Sequence, residues 1–197
     1  MRMRTIVITL ILFNAGAVMA RKLTTYAQKR DFSKTAEPAP TRPRKTRTKK
    51  ADKPIFVIQR HNASHLHYDL RLEIGGVLVS WAVPKGPPKT TTVKRLAVQT
   101  EDHPMAYANF EGVIEEGYGA GTVKIWDKGT YCNLKEDLDK PMSMEESLRK
   151  GRIEIYLHGD VLEGPYALVR TAYGGDKKKN WLLMKLKKKV QHECSER

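Results

Sequence analysis

From Leu66 to Glu73 the chain alternates without a break, with Leu66, Tyr68, Leu70 and Leu72 at even positions and His67, Asp69, Arg71 and Glu73 at odd ones. A period of two sends successive side chains to opposite faces of an extended strand, whereas a helix would scatter both sets around its surface. One face therefore belongs to a core. The other sets His67 beside Asp69, carries Arg71 one step further along, and receives His61 from the preceding turn. Pattern alone leaves two readings of that polar face. It is the solvated side of an ordinary amphipathic strand, or it is a site. Neutral imidazole nitrogen and carboxylate oxygen are ligands for divalent transition metals. A guanidinium beside such an ion suits phosphate, because both neutralise oxyanion charge and the planar fork of Arg spans two oxygens.

Other segments share the short, strand-like character. Residues 55–59, 77–81, 96–99, 122–126, 153–157, 167–170 and 182–185 are apolar or alternating and are separated by Gly, Pro and Asp, a pattern that predicts a mainly β chain closed into a barrel or stacked as a sandwich. One or two short helices flank it. A helix is predicted after Pro141, with Ser143 and Glu146 as a capping box, Leu148 as an apolar contact and Gly151 as its stop. With 197 residues, 40% of them hydrophobic, the chain supports one domain with a real core. The expected division is a signal-like segment or misplaced start at 1–20, an amino-terminal motif with a basic Pro/Thr-rich arm at 21–53, the barrel at 54–190, and a polar tail at 191–197.

A formal net charge of +14 points to a polyanionic partner. Much of the excess lies in Arg42, Arg44, Lys45, Arg47, Lys49, Lys50 and Lys53, and in the lysine runs near 177–179 and 185–189. These read as arms along a phosphate backbone, whose binding would weaken steeply with salt. The two cysteines, Cys132 and Cys194, have no zinc-type spacing and suggest no disulfide framework, which fits a reducing compartment. At the amino terminus, Arg2 and Arg4 precede an apolar run and the small residues 15–20, as in a secretory signal. Met19 offers the competing account, a start just before the motif at 29–32. That account is favoured here and implies a cytoplasmic protein. The apolar run is too short for a confident membrane span.

The wording of several segments goes further. Lys-Arg-Asp-Phe at 29–32 with Thr35 and Glu37 is followed by Arg-His-x-Ala-Ser-x-Leu-His-Tyr-Asp-x-Arg-Leu-Glu at 60–73, Trp-Ala-Val-Pro-Lys-Gly-Pro at 81–87 and Lys-Arg-Leu-Ala-Val at 94–98. Then come Glu-Asp-His-Pro at 101–104 with Tyr107, Phe-Glu-Gly at 110–112, Tyr-Gly-Ala-Gly at 118–121, and weaker echoes at 162–170 and 181–185. Together these resemble the 3′-phosphoesterase domain of ATP-dependent DNA ligase D and its stand-alone relatives. The resemblance implies a compact β-barrel with a crescent groove, and metal ligands at His61, His67 and Asp69, with Mn2+ the usual ion and other divalent transition metals as alternatives. It implies a phosphate clamp of Arg71, Lys85, Arg95 and His103 with Tyr107 near it, and supporting roles for Arg30, Asp31 and Glu37 from behind the site. Such domains remove a 3′-terminal ribonucleoside from a DNA primer strand and then the remaining 3′-phosphate, leaving a 3′-hydroxyl.

The expected partner is therefore a primer–template whose 3′ end carries a ribonucleotide or a phosphate, with a separate ligase or polymerase acting next in end joining and repair. A monomer away from membranes is expected. His103 suits protonation of the departing 3′ oxygen. His65, on the turn, is expected to be exposed or to face nucleic acid, and His158 to lie on the outward side of a strand. Where relatives carry a Pro-containing turn before Tyr-Gly-Ala-Gly, this chain has the tighter Glu115-Glu116-Gly117-Tyr118. No adenylation-type Lys-x-Asp-Gly motif is present, so the chain is not expected to seal nicks. The alternative, from a different class, is a catalytically silent β-barrel that binds nucleic-acid ends. A third reading, a phosphatase of small phosphoesters, would lack the strong salt dependence.

Overall fold

Two short helices and nine strands make up the computed structural model, which describes residues 23–40, 53–135, 139–172 and 179–187. In chain order they are α1 (residues 23–28), β1 (Ile55–Asn62), β2 (Leu66–Ile74), β3 (Val77–Val83), β4 (Lys94–Gln99), β5 (Gly112–Ile114), β6 (Gly121–Asn133), α2 (Met144–Lys150), β7 (Arg152–Gly159), β8 (Glu163–Arg170) and β9 (Asn180–Lys185). Every pairing is antiparallel, in the order β1-β2-β3-β4-β9-β8-β7-β6, and β6 returns to β1. This closes an eight-stranded barrel, the architecture expected from the sequence, and leaves no open edge in the ring. The short β5 adds to the ring from outside, on β6. β6 is 13 residues long, so one edge accompanies β1 while the other serves β5 at its start and β7 at its end.

Alternation decides which side chains fill the barrel. Phe56 and Ile58, Leu70 to Ile74, Val77 to Val83, Ala97, Ile153 to Leu157, Tyr166, Leu168, Trp181 and Leu183 contribute alternate residues to one interior cluster. Trp81 and Trp181, both fully buried, meet edge to face at its centre. β2 and β3 are joined by Gly75-Gly76, both at positive φ, the backbone that a two-residue hairpin needs to match strand twist. α2 begins at Ser143, whose hydroxyl accepts from the Glu146 amide, and ends at Gly151 in the left-handed region, as its capping residues predict.

The outer wall of β1–β3 is also covered. α1 and a 3-10 turn at Met105–Asn109 pack a second cluster against it, built from Tyr26, Val57, Leu78, Tyr107, Ala108, Phe110, Ile114 and Val123. The polar face of β2 is thus enclosed rather than solvated, with Asp69, Arg71 and Glu73 all buried.

β5 and the second half of β6 were not among the predicted strands. β5 has only three residues, and the run after Trp126 carries Asp127, Lys128 and Gly129, which disguise its alternation. One expectation is corrected: Cys132 is disulfide-bonded, because local spacing says nothing about distant pairs. The other cysteine, Cys194, lies outside the described residues, as do segment 1–20, the basic arm at 41–52 and the tail at 191–197. Among the described residues no helix is long and apolar enough to cross a membrane. Trp81→Ala is expected to cost about 3–5 kcal/mol through the cavity it leaves, read as a lower urea midpoint with an unchanged m-value.

Candidate metal centre and active site

His61 and His67 are direct cross-strand partners on β1 and β2, and Asp69 follows His67 on the same face. Their candidate ligand atoms all lie within 4.8 Å of one another. His61 Nδ1 stands 3.6 Å from one carboxylate oxygen of Asp69 and His67 Nε2 stands 3.7 Å from the other. These separations exceed hydrogen-bond length. They are close to the ~3.3–3.6 Å that separates two ligand atoms held at ~2.0–2.2 Å from one ion at a tetrahedral angle.

The remaining ring nitrogens fix the tautomers. His61 Nε2 lies 2.9 Å from the Gly119 carbonyl, and His67 Nδ1 lies 2.9 Å from the His65 carbonyl. A carbonyl only accepts, so each of these nitrogens carries the proton and each opposite nitrogen turns a lone pair toward Asp69. Gly119 lies at φ 86°, and Gly121 after it lies at φ 143°, where a side chain would collide with the Asn62 backbone. The Tyr-Gly-Ala-Gly wording therefore has a local cause: it lets the loop pass close enough to β1 to orient His61.

Arg71 anchors the carboxylate. Its Nη2 donates to Asp69 Oδ2 at 3.0 Å, its Nε to Gln59 at 2.7 Å and its Nη1 to Ser80 at 3.0 Å. Gln59 is the β1 partner of Asp69 and Ser80 the β3 partner of Arg71, so register alone brings the three together. The Gln59 amide in turn donates to the Tyr107 and Phe110 carbonyls. Burial works to raise the Asp69 carboxyl, and the Arg71 guanidinium beside it is the chief opposing influence, leaving its pKa below the ordinary value.

A second network adjoins the first. Arg30 donates to Glu37 at 2.9 Å and to Glu101 at 3.1 Å, and its Nη2 lies 3.4 Å from His103 Nε2. The Tyr107 hydroxyl donates to Glu37 at 2.8 Å, and burial raises its pKa, so it stays protonated. The Arg71 guanidinium stacks 4.6 Å above the Tyr107 ring. His103 Nδ1 donates to the Glu101 carbonyl at 2.9 Å, leaving Nε2 as the acceptor facing Arg30. Burial, followed by the charges of Arg71 and Arg30, holds the His103 pKa well below its usual value. The ring is neutral in this site.

The structure thus joins His61, His67, Asp69, Arg71, His103, Tyr107, Arg30 and Glu37. Asp31 stands apart: it is exposed, accepts from Ser33, and lines a cleft of about 330 Å3 beside the network with Lys34, Glu116 and Tyr118. Lys85 is exposed on the turn after β3, and Arg95 is partly buried on β4 with its Nε unpartnered. Neither shares a hydrogen bond or ion pair with the cluster among the described residues. Sequence reasoning missed Gln59, Ser80 and the Glu101 carboxylate. A polar residue inside the apolar run of β3 was the available signal for Ser80, and the odd-position parity shared with His61 was the signal for Gln59. His65 is exposed and His158 lies on the outward side of β7.

Residues 59–170, which carry this entire strand constellation, match the DNA Ligase D 3′-phosphoesterase domain. The chain belongs to that family. It is 50% identical over 179 residues to the multifunctional non-homologous end joining protein LigD of Mycolicibacterium smegmatis, covering 88% of this chain and 22% of that protein. The LigD of Pseudomonas aeruginosa is 48% identical over 169 residues, 85% of this chain and 19% of the relative. The multifunctional non-homologous end joining DNA repair protein LigD of Mycobacterium tuberculosis is 47% identical over 184 residues, 93% and 22% respectively. The chain therefore spans about a fifth of the length of these ligase D relatives.

Glu101 provides a pH test of the network. Burial tends to raise its carboxyl, and the Lys29 and Arg30 donors outweigh that, so its pKa is lowered. A carboxylate depressed on folding contributes stability that is present above its unfolded pKa and lost as pH falls through the folded one. Glu101→Gln is expected to cost about 2 kcal/mol at neutral pH. In urea titrations the gap from wild type should begin to narrow once pH drops below the ordinary glutamate pKa and close only below the lowered folded-state value.

Proposed function

We propose that this protein is a metal-dependent 3′-phosphoesterase that heals DNA ends. It removes a 3′-terminal ribonucleoside from a primer strand, then hydrolyses the remaining 3′-phosphate to leave a hydroxyl for synthesis or sealing. The observation that carries this reading is the convergence of two imidazole lone pairs on Asp69, with a buried guanidinium held against the same carboxylate. His61, His67 and Asp69 would hold the ion, with Mn2+ proposed and other divalent transition metals able to use the same donors. When bound, it supplies Lewis-acid neutralisation of phosphoryl oxygens and a lowered pKa for a coordinated water.

The chain's own groups account for the rest. Arg71 uses three of its five N–H groups on Gln59, Ser80 and Asp69, so two remain to meet phosphoryl oxygens at a fixed angle. Because those oxygens gain charge in the displacement, a guanidinium that cannot rotate away stabilises the transition state without reorganisation. His103 begins as a neutral acceptor. A phosphate drawn in beside Arg71 and Arg30 offsets the repulsion that adds to burial in keeping the ring neutral, which favours proton uptake at Nε2 in the loaded site and its transfer to the departing oxygen, the 5′ oxygen of the ribonucleoside in the first step and the 3′ oxygen of the primer in the second. Glu37, bound by Arg30, Tyr107 and Thr35, holds the second network in place. Asp31 faces the adjoining cleft, where the end of the substrate would lie. Lys85 and Arg95, free of carboxylate partners among the described residues, serve primer phosphates.

The test follows a 5′-labelled primer that ends in a 3′-phosphate on a longer template. Wild type with Mn2+ is expected to convert it to the 3′-hydroxyl, while EDTA or His67→Ala should abolish conversion. Salt-sensitive binding with no conversion under any metal would overturn the enzymatic reading and favour a silent end-binding barrel.

A further inference from the structure

A second cluster of reactive side chains lies at the far end of β6. Val123, near the start of that strand, is opposite His61, and Cys132 follows nine residues later, about 30 Å along the strand. Cys132 pairs with Tyr156 of β7, and Thr130 pairs with His158. Directly opposed residues on antiparallel strands share a face, and diagonal neighbours stay in reach. Cys132, Tyr156 and His158 therefore project together from the outer wall. His158 Nε2 lies 3.7 Å from Cys132 Sγ, and its Nδ1 stands 3.5 Å from a carboxylate oxygen of Glu163, its partner on β8. A sulfur, an imidazole and a carboxylate thus follow one another, the order in which an imidazole oriented by an acid acts on a neighbouring nucleophile or leaving group. None of the three belongs to the metal centre.

Cys132 is disulfide-bonded, and the chain contains one other cysteine, Cys194. The described residues show that a bond within one chain is within reach. The Leu186 amide donates to the Pro165 carbonyl at 2.8 Å, Pro165 is paired with Tyr156, and Tyr156 is paired with Cys132. The chain therefore leaves β9 three strand spacings from Cys132, ~14 Å at ~4.8 Å per strand. The eight residues from Leu186 to Cys194 reach ~26 Å when extended, nearly twice that distance. The loop closed by such a bond contains α2, β7, β8 and β9. Because β9 joins β8 to β4, fastening the chain after β9 secures the seam that completes the ring.

We propose that Cys132 is a redox-addressable site, in which a reversible disulfide to Cys194 fastens the end of the chain to the barrel and is opened by a small thiol, with Cys132 as the departing sulfur. The geometry around Cys132 decides which sulfur departs. His158 donating from Nε2, with Glu163 balancing its charge, stabilises a thiolate at Cys132, and exchange is faster when the leaving thiolate is stabilised. The small thiol, as its thiolate, attacks the Cys194 sulfur. The electron pair of the S–S bond passes to Cys132, which takes a proton from His158, and Cys194 is left carrying a mixed disulfide. A second thiolate attacks the small-thiol sulfur of that mixed disulfide and releases Cys194, which takes up a proton. One protein disulfide is thereby reduced to two thiols while two small thiols are oxidised to one disulfide. Run in reverse with the small disulfide, the same steps refasten the chain. Neither this site nor the metal centre needs the other.

The test uses the full chain oxidised with glutathione disulfide and then freed of it. Its intact mass is expected to be that of one chain less two hydrogens, and tryptic digestion should yield a cross-linked peptide pair carrying Cys132 and Cys194. On addition of reduced glutathione, acid-trapped intermediates should carry the glutathione adduct on Cys194. His158→Gln should form the same cross-link and keep the wild-type urea midpoint, yet be reduced by glutathione roughly tenfold more slowly. Glu163→Gln should slow reduction in the same direction. Reduced wild type and Cys194→Ser should share one lowered urea midpoint, since both lack the closed loop. Two free thiols or two glutathione adducts in place of the cross-link, a bond between two chains, an intermediate adduct on Cys132, or an unchanged reduction rate in both His158→Gln and Glu163→Gln would overturn the proposal.

Discussion

A guanidinium shut away from water organises the site. Arg71 is 2% exposed, and a charge so placed is tolerated only when it is paired and each of its nitrogens is hydrogen-bonded. Its partners come from three adjacent strands, Gln59 from β1, Asp69 from β2 and Ser80 from β3, and the Gln59 amide is anchored to the 3-10 turn. A slip of one residue in either pairing would send Gln59 or Ser80 into the barrel. The register that buries the apolar interior is therefore the same register that satisfies Arg71. Fold and site are specified together, and Asp69 inherits its orientation from both.

Covering that charge needs a second core. α1 and the 3-10 turn bring Tyr26 and Tyr107 over the outer wall of the barrel, with Arg30 stacked 3.9 Å from the Tyr26 ring and His103 5.0 Å from it. Aromatic rings exclude water while offering their faces to cations. The barrel interior supplies rigidity, the outer cluster supplies dryness, and the ionisable groups lie between the two. A low local dielectric there strengthens each ion pair and depresses the His103 pKa.

Much of this was legible in the chain. Strict alternation from Leu66 to Glu73 announced β2 and its two faces, and the capping residues Ser143, Glu146 and Gly151 bounded α2. The clustering of His61, His67 and Asp69 could be read because His67 and Asp69 share one strand and His61 stands across a short hairpin. Gln59, Ser80 and Glu101 were harder to read, since their importance arises from pairing across strands and from a loop brought over the wall. Nothing local in the sequence says that Leu78 will bridge to His103, yet that bridge sets the imidazole beside Arg30. Burial of the polar face was likewise hidden, because alternation reports which face is polar but not what covers it.

Charge balance links the proposed ion to the proposed substrate. The linked networks contain three cations, Lys29, Arg30 and Arg71, and three carboxylates, Glu101, Glu37 and Asp69, joined by four ion pairs. With His103 neutral in the empty site, these six charges sum to zero, Lys29 being the exposed member. A divalent ion placed alone between the imidazoles would leave an uncompensated charge of +2 in a partly dry site, and a doubly charged phosphate alone would leave the opposite excess. Arriving together they cancel. Under the proposed function each would therefore raise the affinity for the other by the same factor, and the site would hold its ion most tightly while a 3′-phosphate is in place.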